Sequence, residues 1–82
     1  MNKQQILEFL IAEAHKIRTA QLANVEVTAS SRIMDDLGFD SLDYATLMLS
    51  CESWSGVRLS EKHIDWSQIQ TVDALATLFA GL

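Results

Sequence analysis

Four side chains in this 82-residue sequence could act as nucleophiles or as proton carriers: Ser41, Cys51, His15 and His63. Ser41 has the most telling neighbours, because Asp40 precedes it and Leu42 and Asp43 follow. An Asp at this place can cap a helix, which puts Ser41 one residue inside, where free backbone amides and the helix dipole favour a nearby anion. A phosphate esterified to its oxygen would be well placed. Ester hydrolysis is a poor fit, since the Gly-x-Ser-x-Gly elbow needs Gly at position 43 and finds Asp, and no motif ties either histidine to Ser41. One cysteine makes neither an internal disulfide nor a metal framework, so no metal site and no catalytic residue is expected.

The elements that must position Ser41 follow from hydrophobic spacing. Ile6, Leu7, Leu10, Ile11, Ala14 and Ile17 recur at three- and four-residue steps, which predicts a first amphipathic helix over residues 3–18 with Asn2 as its cap. Residues 19–36 hold no helical period and read as a long loop, pinned to the core by Ile33, Met34 and Leu37. The alternation Val25-Glu26-Val27 has no second strand to pair with. A second helix spans residues 40–54 and stops at Gly56. Ser60 caps one short turn through His63 or Ile64, and Thr71 caps a last helix that buries Val72, Leu75, Ala76, Leu78 and Phe79. The expected fold is all-α, with three main helices and one short one, in a single domain over residues 1–82.

Around the second helix, at about 100° per residue, Tyr44, Leu47, Met48 and Cys51 gather on one side. Leu42, Ala45 and Leu49 gather on the other, with Thr46 among them. So small a domain rarely covers both sides of one helix, so the second side is expected to be a docking surface, ringed by Asp36, Asp40, Asp43 and Glu52. The competing expectation is that the loop over residues 19–36 folds across it.

The net charge is −5, which disfavours nucleic acid and favours basic protein partners. Hydrophobic residues form 49% of the chain, with three glycines and no proline, the balance of a packed helical domain. The N-terminal apolar stretch is broken by Glu8 and followed by Glu13, so neither membrane insertion nor a signal peptide is expected. A reducing cytoplasm suits the single thiol, and a monomer is expected.

The stretch Asp36-Leu37-Gly38-Phe39-Asp40-Ser41-Leu42-Asp43 resembles the phosphopantetheine attachment site of acyl carrier proteins. Helix order and length fit that family over essentially the whole chain. The resemblance implies a four-helix bundle of acyl-carrier-protein type that is not itself an enzyme. Ser41 would receive 4'-phosphopantetheine from coenzyme A through a magnesium-dependent phosphopantetheinyl transferase, and Asp40 would help present it. Leu42, Ala45, Thr46 and Leu49 would line the recognition face, and Leu37, Leu47 and Cys51 would fall at core positions. Further partners would be an acyl- or aminoacyl-loading enzyme and downstream biosynthetic enzymes with basic docking patches. Gly38-Phe39-Asp40-Ser41 is closer to acyl and polyketide carriers than to aminoacyl or peptidyl carriers. Thr46 and Ser53 stand where bacterial fatty-acid carriers are commonly acidic, and Ile64-Asp65-Trp66-Ser67 resembles the carriers of specialised polyketide, aminoacyl or cell-wall pathways, so a specialised pathway is expected. A helical interaction module that is never modified is the remaining alternative.

Overall fold

Asn2 starts the first helix of the computed structural model, which describes residues 2–59 and 64–81. Its side chain accepts from the Gln5 amide at 2.9 Å while the Gln5 side chain accepts from the Asn2 amide at 3.1 Å. This reciprocal pair satisfies amides that the first turn leaves without partners. The helix, α1 (Lys3–Ile17), buries Ile6, Leu10 and Ala14, one side chain per turn along a single face. Leu7, Ile11 and Ile17 pack beside that stripe, as the spacing predicts.

The second helix, α2 (Ser41–Ser55), is capped by Asp40, whose carboxylate accepts from the Asp43 amide at 2.8 Å. It stops at Gly56, where φ is +79°. That left-handed conformation strains any residue with a Cβ, so a glycine ends the helix at little cost. The third helix, α3 (Val72–Ala80), starts on Thr71, whose hydroxyl accepts from the Ala74 amide at 3.0 Å. It buries Val72, Leu75, Ala76 and Phe79, and α1 packs against both α2 and α3. A 3-10 turn, Trp66–Gln68, is capped by Asp65. The described residues thus form a small all-helical bundle without a strand. The short turn expected at Ser60 to His63 or Ile64 falls largely outside the described residues, as does His63.

The long connection between α1 and α2 is tethered rather than loose. Leu22, Val27, Ile33, Leu37 and Phe39 are all buried in the core. Its backbone is tied to the start of α3: the Ile33 amide donates to the Gln70 carbonyl at 2.8 Å, the Val72 amide to Ser31 at 3.1 Å and the Asp73 amide to Ala29 at 2.8 Å. The Val72 and Asp73 bonds also satisfy amides in the first turn of α3, which its own helix leaves free. Val25-Glu26-Val27 forms no strand, and the only β-type contact among the described residues is one isolated bridge between Arg32 and Thr71.

One expectation needs correction. Met34 does not pin the loop, because it is 47% exposed while its neighbour Ile33 is fully buried. His15 is half-buried, with Nδ1 3.0 Å from the Ile11 carbonyl oxygen and Nε2 3.3 Å from that of Val25. The ring therefore joins α1 to the loop. The tryptophans are only partly covered: Trp54 stacks on Phe9 with centroids 4.3 Å apart, and Trp66 meets Tyr44 edge-on at 6.2 Å.

Candidate functional site

Local backbone geometry brings Ser41 to the surface. The Gly38 amide donates to the Met34 carbonyl at 3.1 Å, closing a turn in which Gly38 takes φ +71°, a conformation that favours glycine. The next residue, Phe39, turns inward and is buried, with its amide donating to the Ile33 carbonyl at 3.3 Å. Phe39 thereby anchors the chain immediately before Asp40 caps α2. Ser41 follows as the first helical residue, and it is exposed.

Its two acidic neighbours have different surroundings. Asp40 keeps a 65% exposed side chain and spends one oxygen on the cap. Asp43 is the reciprocal half of the capping box, with Oδ2 accepting from the Asp40 amide at 3.3 Å. The same oxygen accepts from Arg18 Nε at 2.8 Å and from a second Arg18 nitrogen. Partial burial alone would raise the Asp43 pKa, but the Arg18 hydrogen bond, the Asp40 amide and the Arg18 charge outweigh it and hold the carboxyl below its ordinary value. Arg18 also comes within 3.9 Å of Asp40. Sequence reasoning missed Arg18, whose partner Asp43 lies 25 residues away in the chain.

The outer side of α2 is open. Leu42 is 75% and Leu49 57% exposed, Ala45 lies partly covered between them, and Thr46 is exposed. The Thr46 hydroxyl donates back to the Leu42 carbonyl at 2.9 Å, so its hydrogen is committed within the helix. The inner side holds Leu47 and Cys51 at 0% exposure, with Tyr44 and Met48 beside them. Burial and the neighbouring Glu52 push the Cys51 thiol up to about 12, leaving it protonated and inert at neutral pH. Of the other carboxylates expected around the strip, Asp36 is exposed and uses one oxygen to accept from the Arg32 amide at 2.7 Å. Glu52 is half-buried, and its Oε1 is shut off from solvent with no partner among the described residues. Asp35, absent from the expected ring, is 71% exposed and paired loosely with Arg32 at 3.5 Å.

Ser41 also stands on the rim of a groove of about 470 Å³ between the loop, α2 and the 3-10 turn. Met34, Tyr44, Met48, Trp66 and Ile69 line it, so the misplaced methionine has its role here. The Tyr44 hydroxyl donates to the Ile69 carbonyl at 2.8 Å, and burial pushes its pKa up to about 12, which keeps that bond through the neutral range. A second depression, lined by Phe9, Thr46, Leu49 and Trp54, lies between α1 and α2. No group of side chains among the described residues could hold a metal ion, and no helix there is long and apolar enough to cross a membrane. No protein-family model matches the chain, and no solved structure matches it significantly.

Proposed function

We propose that the chain is a carrier protein that holds an acyl-type cargo on a 4'-phosphopantetheine arm at Ser41, with the chemistry done by its partners. The observation that carries this reading is the exposure of Ser41 at the first position of α2, directly behind the Asp40 cap, inside the Asp36–Asp43 stretch. In this reading the bundle is of acyl-carrier-protein type.

The residues at Ser41 fit such a group. The first amides of α2 and the positive end of its dipole can accept a phosphodiester, and the exposed hydroxyl can be reached by a transferase. The apolar groove beside Ser41 gives the carbon segments of an arm a surface to rest on. When bound, the arm supplies a terminal thiol that holds the cargo as a reactive thioester. The chain itself supplies the anchor point, the rigid cap that orients it, and the Leu42–Leu49 strip by which basic cytoplasmic enzymes recognise it. Docking of this kind is weak and salt-sensitive, as a carrier that visits several enzymes requires.

The deciding experiment is intact mass after incubation with coenzyme A and a broad-specificity phosphopantetheinyl transferase. Wild type gains one phosphopantetheine, while Ser41→Ala keeps its helical spectrum and gains nothing. An unchanged wild-type mass refutes the carrier reading and favours the unmodified interaction module, which the exposed leucines would serve equally well. Mass spectrometry of native material then separates acyl from aminoacyl cargo.

A further inference from the structure

The carboxylates near Ser41 are not equivalent toward an approaching cation. Asp35 and Asp40 have side chains 71% and 65% exposed, and Asp36 is exposed as well. The Asp43 side chain is only 19% exposed, against an Arg18 side chain that is 28% exposed. Two guanidinium nitrogens of Arg18 converge on one Asp43 oxygen, which also accepts the Asp40 amide. A partly buried, multiply hydrogen-bonded pair of this kind is screened little by salt and is net neutral from outside. The Arg32–Asp35 contact differs, being long and exposed at both ends, so an incoming cation can replace it.

We propose that Arg18 is a specificity-determining residue of the docking face: an internal counter-ion that withdraws Asp43 from basic partners and leaves Asp35, Asp36 and Asp40 as the charged rim around Leu42. The inference rests on the carrier reading and deepens it by naming the partner surface. The matching partner is a protein that presents an apolar side chain to Leu42 and basic residues toward the loop side of Ser41. A partner that needs an anion one turn into α2, at Asp43, is selected against. Arg18 and Asp43 are 25 residues apart in the chain, so the masking exists only in the folded protein.

The test is a double-mutant cycle on Arg18→Met and Asp43→Asn, with the transferase and coenzyme A as probe and kcat/KM for loading measured at low and high salt. Circular dichroism checks each fold. Asn at position 43 can still accept from the Asp40 amide, so the cap survives. Arg18→Met is expected to raise kcat/KM about twofold to fivefold at low salt, with the gain vanishing at high salt. Asp43→Asn should cancel that gain in the Arg18→Met background; alone it leaves Arg18 an unpaired cation and should slow loading at low salt. A gain that survives Asp43→Asn in the Arg18→Met background, or unchanged or slower loading of a folded Arg18→Met protein, overturns the proposal. Should Arg18→Met fail to fold, Arg18→Gln, which keeps a hydrogen-bond donor for Asp43 without the charge, takes its place in the cycle and the same outcomes decide. A wild type that never gains mass overturns the carrier reading, and the partner assignment falls with it. Loading that proceeds with the wrong pattern across the cycle overturns the masking alone.

Discussion

Leu42→Asp separates a docking strip from a core face, because the two assign opposite costs to the same substitution. Leu42 keeps 75% of its exposure. Burying a leucine completely is worth about 1.5–3 kcal/mol, so the covered quarter contributes only about 0.5 kcal/mol. The new carboxylate sits in the first turn of α2, where the dipole returns about 0.3–1 kcal/mol, offset in part by repulsion from Asp40. The net change in stability should lie within about 1 kcal/mol of zero, a melting shift of no more than about 8 °C for a domain of this size. Leu47→Ala is the internal control, since Leu47 is fully buried on the opposite side. It should cost about 2–5 kcal/mol. Urea titration followed by far-ultraviolet circular dichroism measures both variants, and loading by the transferase reports docking. Leu42→Asp is expected to lose loading while keeping stability. A loss of several kcal/mol would place Leu42 in the core, and full stability with full loading would remove the strip from the docking account.

Two further outcomes follow from the same geometry. Cys51 should resist alkylation by iodoacetamide in the native state and react only when denaturant exposes it, because its thiol is buried and pushed up to about 12; rapid native labelling would contradict the assigned packing. The Asp43 carboxyl has a folded pKa below its ordinary value of 3.8, so its contribution to stability is fully present above that value and is lost as pH falls through the folded pKa. Acid titrations should therefore show wild type losing more stability below pH 4 than Asp43→Asn does, and superimposable curves would show that Arg18 holds no charged partner there.

What could be read from the sequence was whatever depends on near neighbours. Asp40 and Thr71 cap their helices through bonds spanning three residues, and Gly56 ends α2 through its own backbone angle. The division of α2 into a Leu47–Cys51 side and a Leu42–Leu49 side follows from helical repeat alone, and burial agrees with it. Met34 was misplaced because a loop has no repeat to say which of two adjacent apolar residues faces inward; the turn at Gly38 assigns the inside to Ile33 and Leu37. The contacts of His15 with the Val25 carbonyl, of Trp54 with Phe9 and of Arg18 with Asp43 all join distant segments. No local rule reaches them. The Asp36–Asp43 stretch marked the position of Ser41, but only the fold distinguishes the masked Asp43 from the open Asp35.

The exposure of Leu42 and Leu49 has a structural cause. The loop that could have covered them has committed its apolar residues elsewhere: Leu22, Val27, Ile33, Leu37 and Phe39 are buried. Its backbone is bonded to the start of α3 at residues 29, 31 and 33. Folding the loop over the outer side of α2 would expose those side chains and leave first-turn amides of α3 unpaired, a cost larger than covering two exposed leucines could return. The tether that stabilises the bundle therefore also keeps the outer side of α2 bare. Intramolecular burial accounts for Leu47 and Cys51 and leaves Leu42 and Leu49 without a role inside the chain. A surface held open in this way beside an exposed serine at a helix start is suited to recognition by another protein.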